Sequence, residues 1–550
     1  MTTDPLNAQG INWSISNEFR YGIGKQFDQD RTDTKEYFEN LLGSRVYMGD
    51  FTLGFRFQVD KPREYGRDTV GLKEYYAEYR RDGLRARAGT FYNLVGRGMV
   101  MNTFESRSIG FDTQTEGVRI DYESEKFKVG AWGGLLGYAD IITPTRVEDY
   151  LIRAFSGEVR PIRELGVGGS FMAATGQRSQ SGFARAFDAY LRELYLQANS
   201  SGFRAFLNLA DKRTVIDSAS RTRTTSRLQG YGFYGLLGYT SDLFGVTVEL
   251  KDYRYDLVEP PEQQSGSRAT RSLPFQNAPT LIPEHDKTLL ARNPHTVDPS
   301  DELGFQIEAL LYPADGLTLT LLALGGSRHN SWERIVDTAN GGALSFRRVN
   351  DLPIGFAQLS DFTYSPYWEV YAHGEYEYSD EITFAAALQG KDNSDFSLSE
   401  RFTATTGMFE SLIDVTGNSN LHAILEVQRV FDSKKVVIGN DSLGIEPYDG
   451  RFFNALLTLE YAQSPEWSVN ARMEVTTTDR DLQSEYDFLG ITFSEPVKAW
   501  PVIGGTYRIG NAHTIALQYG AERGGVVCTG GVCRYINPFT GLRLSVVSKL

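Results

Sequence analysis

From Asn12 to Leu550 the chain alternates apolar or aromatic residues with polar or charged ones in short runs, and nowhere does it contain the long apolar stretch that a membrane helix needs. A period of two sends successive side chains to opposite faces of a strand. Repeated along the whole chain, the pattern predicts one large antiparallel sheet. A sheet of that size removes its exposed edges by closing on itself. The expected fold is therefore all-β: a single large antiparallel transmembrane β-barrel of about 22 to 26 strands, with bulky residues toward lipid and polar residues toward a wet lumen.

Length and composition narrow the alternatives. A chain of 550 residues would ordinarily divide into several soluble domains. Here the same kind of hairpin recurs with no obvious linker, so residues 1–550 read as one architecture. Apolar residues make up 41%, with 30 Tyr, 33 Phe and 55 Gly, as expected where each strand needs only one apolar face. A large soluble β-protein shares that composition, but it would bury its apolar face and extract without detergent. The formal net charge of −14, without a concentrated basic tract, argues against general nucleic-acid binding.

Cys528 and Cys533, in CTGGVC, are the two cysteines of the chain. Four intervening residues with two glycines suit a small disulfide loop, favoured over two free thiols and pointing to an oxidising compartment. Two sulfurs without a neighbouring Cys or His cluster are too few for a metal site. The opening MTTDPLNAQG has neither the basic nor the apolar region of a secretion signal, so for an exported protein the expectation is a mature or engineered start, or a natural signal that this sequence does not include.

Alternation also assigns faces. GLKEYYAEYR and GLRARAGTFY are joined at Arg81 to Gly83, where Asp-Gly favours a tight hairpin. Leu84, Ala86, Ala88 and Tyr92 then share one side, and Arg85 and Arg87 the other. Two arginines on one strand face are costly in lipid and acceptable in a hydrated lumen. GVRIDYE likewise groups Arg119, Asp121 and Glu123. In YWEVYAHGEYEYSD, Glu369, His373, Glu375 and Glu377 lie opposite Trp368, Val370, Ala372, Tyr376 and Tyr378. The lumen candidates are thus Arg85, Arg87, Arg119, Asp121, Glu123, Glu375 and Glu377, with roles in hydration and charge selection.

The largest irregular stretch, about residues 256–301, opens with PPEQQSGSRATRS and ends with NPHTVDPS. Its prolines exclude a spanning strand, and such length is rare as filler. It is either an extracellular loop, the favoured position, or a segment folded into the pore. Weaker runs at Val95 to Phe111 and Leu344 to Phe362 make the strand count uncertain by a few. Short turns such as Ser464 to Glu466 and Gly510 to Ala512 alternate with longer polar connections such as Asp432 to Asp449, as in barrels with short periplasmic turns and long external loops. With the C-terminus periplasmic, the Cys528–Cys533 loop lies at the outer surface and stiffens an exposed hairpin. The final strand of NPFTGLRLSVVSKL is available to pair with the first.

Catalytic signals are weak. No phosphate-binding loop or nucleophile elbow stands in its required strand-to-helix setting. The glycines of VGRGM (Val95 to Met99) and GVGG (Gly166 to Gly169) read as turns, bulges or close packing. The six histidines, His285, His295, His329, His373, His422 and His513, are scattered, so no metal or cofactor is expected. Glu375 and Glu377 fit lumen electrostatics better than acid–base catalysis.

In the segment Leu94 to Glu123, LVGRGMVMNTFESRSIGFDTQTEGVRIDYE, and in the terminal CTGGVCRYINPFTGLRLSVVSKL, the chain resembles the large outer-membrane β-barrel proteins of Gram-negative bacteria, in particular an uncharacterised Bacteroidota-type group. The resemblance implies an outer-membrane location, contact with outer-membrane lipids, and a channel or transport-associated role for a polar solute. It departs from TonB-dependent receptors in lacking a recognisable N-terminal plug, and from many barrels in ending on Leu550 instead of an aromatic residue. The alternative function is a non-conducting scaffold or a component of an envelope assembly with a protein partner. Enzymatic activity is not expected.

Overall fold

The computed structural model describes the chain from Ile11 to Leu550 except residues 29–30, 140–145, 181–182, 218–224, 256–272, 282, 284, 296–299, 338–342, 351–352, 397–398, 435–447, 479–486, 489–490, 493–496 and 530–531. The opening MTTDPLNAQG, the PPEQQSGSRATRS tract and most of the Asp432 to Asp449 connection therefore lie outside the described residues. Twenty-four strands, each paired antiparallel with its neighbours, form one continuous sheet. The sheet closes where Asn12–Asp28 meets Phe539–Lys549, in register from Ser16 opposite Lys549 to Gln26 opposite Phe539. Two further backbone bonds between Ile15 and Leu550 extend the seam. With both edges paired, the backbone groups of the first and last strands are satisfied without water.

Side-chain polarity is inverted relative to a water-soluble fold. On strand Phe183–Ser200, Leu194 is 72% exposed whereas its neighbour Glu193 is 4% exposed. The same holds across the next hairpin, where Leu207 and Leu209 are exposed and Asn208 is buried. A soluble sandwich would place those leucines inside; lipid is the environment that accepts them outside. Among the described residues no helix is long and apolar enough to cross a membrane.

The two ends of the barrel differ. At one end, the connections at residues 49–50, 82–83, 124–126, 163–164, 201–202, 241–243, 315–316, 380–381, 417–418, 464–466 and 510–512 are two or three residues long. At the other end lie the long excursions, among them residues 92–114, 255–301, 328–366 and 523–538. Aromatic pairs cluster beside the short turns: Phe51 with Tyr79, Tyr122 with Phe127, Phe203 with Tyr239, and Tyr461 with Trp467, at centroid separations of 4.9, 5.5, 4.6 and 5.5 Å. Amphipathic rings at one level mark a membrane boundary.

Among the described residues, five short two-stranded ladders lie outside the 24-strand sheet. Residues 94–112 form two tiny ladders, Leu94–Val95 with Met101–Asn102 and Glu105–Ser106 with Phe111–Asp112. Trp332–Asp337 pairs only with Ala343–Arg348. This removes the uncertain segments and brings the count to an even number. Tyr92 also departs from its expected face: the strand stops at Phe91, and the Tyr92 hydroxyl donates to Asp112 at 3.1 Å. The change of direction after Phe91 breaks the alternation that would have sent the ring outward.

Candidate functional site: a lumen crossed by two inward segments

Arg85, Arg87, Arg119 and Asp121 come together on one patch of inner wall. Register sets Arg119 opposite Arg87 and Asp121 opposite Arg85, while Val118 and Ile120 point to lipid. Glu78, which was not among the candidates, joins them: its carboxylate accepts from Arg85 at 2.8 Å and stands 3.6 Å from Arg87. Arg119 pairs with Asp121 at 2.5 Å and donates to Asn93 at 2.8 Å. Glu123, nearer the turn, pairs with Arg160 at 2.9 Å. Glu375 and Glu377 are placed elsewhere, exposed toward the short-turn mouth on strand Tyr367–Ser379. Further along that inward face, Glu369 is buried and contacts His285 at 2.6 Å.

The inward face of the long-excursion half is occupied by the chain itself. Residues 93–113 leave strand Leu84–Phe91 and lie across the inner wall. At one end Arg107 binds Glu39 at 2.6 Å and Glu105 binds Arg56 at 2.7 Å; at the other, Arg97 stacks over Phe206 at 4.1 Å from the ring centroid. The glycines of VGRGM allow this approach. A Cβ on Gly96 would lie 1.6 Å from the Glu193 carboxylate, and one on Gly98 2.0 Å from the Asn277 carbonyl oxygen. Both have positive φ, the region in which glycine carries no steric penalty.

The described residues 273–295 form a second inward segment that reaches nearly opposite sides of the ring. Phe275 meets Tyr150 edge-on at 5.1 Å, and the Tyr253 hydroxyl donates to Pro279 O at 3.0 Å. Further along, a single helical turn, Thr288–Ala291, presents the backbone N–H groups of Thr288, Leu289 and Leu290 to Glu426 at 3.2, 2.7 and 3.3 Å. Gln428 and Gln389 donate to the carbonyl oxygens of Leu289 and Leu290, and Lys391 to those of Leu290 and Arg292. Arg292 closes the span on Glu474 at 2.5 Å. These inward-facing polar residues thus satisfy backbone groups that a segment outside regular structure would otherwise leave unpaired.

The two segments are joined. Asn102 N donates to Phe275 O at 2.7 Å, Gln276 Nε2 to Met99 O at 2.9 Å and Asn277 Nδ2 to Asn102 O at 3.1 Å. Beneath the junction, Met101, Ile109, Phe111 and Phe275 share one apolar cluster with Trp132, Leu136, Ile152, Met172 and Leu191 of the wall. The hairpin carrying the Cys528–Cys533 disulfide touches the same body, since Val532 packs against that cluster.

A third excursion is fixed by His329, whose ring nitrogens lie 2.9 Å from Asp301 and 2.9 Å from Asp252. Burial by itself lowers the imidazole pKa, but the hydrogen bonds to the two carboxylates and the Asp301 charge outweigh it and raise the value above the ordinary range. Among the described residues, no group of three His, Cys, Asp or Glu side chains is placed to hold a metal ion. What the arrangement offers chemically is ion pairing and hydrogen bonding along a barrier.

The family of unknown function DUF6029 matches residues 16–550. No curated protein matches the chain. Among solved structures, the siderophore receptor PirA from Pseudomonas aeruginosa is similar at 6% identity and TM-score 0.45, covering 98% of this chain and 80% of that one. OpdO from Pseudomonas aeruginosa gives 10% identity and TM-score 0.36, covering 77% and 98%. The P pilus usher PapC translocation pore gives 7% and 0.39, covering 98% and 99%.

Proposed function

We propose that this chain, which belongs to the DUF6029 family of unknown function, is an outer-membrane transport barrel for a polar solute whose passage is controlled by the two joined inward segments. The resemblance carried by Leu94 to Glu123 and the C-terminal segment supports a Bacteroidota-type source. Residues 256–301 serve in this reading as a pore-associated insertion. Arg85, Arg87, Arg119, Asp121, Glu123, Glu375 and Glu377 line the short-turn half of the path and set its charge preference.

The observation that carries the reading is the junction of Met99–Asn102 with Phe275–Asn277. A barrel of more than twenty strands encloses a wide lumen, and barrels of that size close it with a plug. Here internal excursions take that place, tied to the wall by hydrogen bonds, by ion pairs such as Arg292 with Glu474 and by the apolar cluster around Phe275.

A filled lumen also favours a second reading, a non-conducting scaffold in an envelope assembly. Reconstitution in planar bilayers under salt gradients separates the two. Discrete ion-selective openings of the wild-type chain support the transport barrel. Silence from demonstrably inserted barrels, with a reproducible envelope-protein partner, supports the scaffold.

A further inference from the structure

The lipid-facing side of the barrel carries an arginine that its surroundings leave uncompensated. Along strand Val147–Ile162 the outward row runs Val159, Gly157, Phe155, Arg153, Leu151, and Arg153 is exposed within it. On the same face, Arg192 is neutralised by Asp211 through paired bonds of 2.8 and 2.6 Å. No hydrogen bond or ion pair reaches Arg153 from the described residues. Its side is not a flat wall. Register sets Gly133 directly across from Arg153, and Val118 beyond it; with no side chain at Gly133, a groove of about 490 Å³ opens beside the arginine. Val118, Ile120 and Ala131 line one side, and Phe155, stacked on Phe171 at 5.7 Å, lines the other.

Depth decides what such a groove can hold. Arg153 stands nine residues from the end of its strand at Ile162, or roughly 22 Å above the short turn for a tilted strand. The apolar band of such barrels is about 25 Å tall. The guanidinium thus lies near the boundary on the side of the long excursions, within reach of headgroups by extension of its stem. A guanidinium recognises phosphate through two parallel N–H donors, and the trough below it accepts an acyl chain. Long excursions mark the cell exterior, where the outer leaflet is built on phosphorylated glycolipid. We propose that Arg153 and the groove at Gly133 form a binding site for lipid A, with the phosphate on Arg153 and one acyl chain between Ile120 and Phe155.

Native mass spectrometry of the delipidated full chain in detergent, titrated with monophosphoryl lipid A, its dephosphorylated counterpart and phosphatidylglycerol, tests this. The expected result is one equivalent of monophosphoryl lipid A bound at least tenfold more tightly than either other lipid. Arg153→Gln should lose that preference and Arg153→Lys keep part of it. Ala131→Trp, which fills the groove and leaves the arginine intact, should weaken binding as Arg153→Gln does. Heat-modifiable migration on gels shows that each variant retains the barrel. Equal binding by wild type and Arg153→Gln, indifference to the phosphate, or a preference for phosphatidylglycerol would overturn the site.

Discussion

Gln276 donates from Nε2 to the carbonyl oxygen of Met99 at 2.9 Å, a contact between residues 177 positions apart. It fixes the start of the second inward segment to the turn at Gly96–Met99 in the first. The turn depends on Gly98, whose φ is +94 and whose missing Cβ makes room for the Asn277 carbonyl. Gly98→Ala therefore forces the junction apart, at a cost of about 1–3 kcal/mol in backbone strain before any lost hydrogen bond. Gly98 lies outside the barrel strands, so insertion and heat-modifiability should persist. In planar bilayers the variant is expected to show larger or more frequent openings than wild type. Identical traces would mean that the junction does not close the lumen.

The far anchor can be released separately. Glu426 accepts three backbone N–H groups from the turn at Thr288–Ala291, and Glu426→Ala leaves them without an acceptor in a buried place. Hydrogen bonds to a charged group contribute about 1.5–3 kcal/mol each and are not additive, so a loss of about 3 kcal/mol for the local contact is reasonable. That corresponds to roughly 100-fold faster opening, at about 1.4 kcal/mol per tenfold. Hydrogen exchange should show deprotection confined to residues 285–292, with the strands unchanged. Uniform deprotection of the whole sheet would make Glu426 a determinant of the barrel instead.

The face of each strand was legible because lipid enforces it: Val118, Ile120 and Tyr122 must point outward, so Arg119, Asp121 and Glu123 point inward. The junction of the two inward segments was not, since a contact across 177 residues leaves no local pattern. A partial signal exists all the same. In GAWGGLLGYA and YLIRAF alternation fails, and Trp132, Leu136 and Ile152 add apolar side chains to a face that should be wetted. An inner wall that is apolar over several neighbouring strands requires something to cover it, and here residues 99–111 and 275 do so. Likewise, Glu78 escapes a reading by pattern because its role depends on the arginines of the neighbouring strand, a fact of register. The prolines of residues 256–301 exclude a strand, but they carry no information on which side of the wall the segment lies.

Charge selection in the short-turn half has a direct test. Arg85 and Arg87 lean on the single carboxylate of Glu78. Replacing both by Gln removes two positive charges from the patch and leaves the Glu78 carboxylate paired with Arg80 alone, at 2.8 Å. Under a salt gradient the reversal potential should shift toward cation preference, and adding Glu78→Gln should reverse part of the shift. The pairs are partly hydrated, so stability should change by only about 1 kcal/mol. An unchanged reversal potential in a conducting wild type would remove these arginines from the permeation path.

The third excursion should loosen as pH rises. His329 is held by Asp252 and Asp301, with Arg254 the nearby opposing charge, and its pKa is raised above the ordinary imidazole value. A raised folded-state pKa means that the protonated ring stabilises the folded contact. That contribution is complete below the unfolded value of about 6.5 and is lost as pH climbs through the higher folded value. Hydrogen exchange of residues 327–331 should therefore accelerate across that window in wild type. In His329→Gln, which bonds without titrating, protection should be flat over the same range and below that of the wild type at acid pH. A wild-type profile that is also flat would show that the two carboxylates hold the neutral ring equally well.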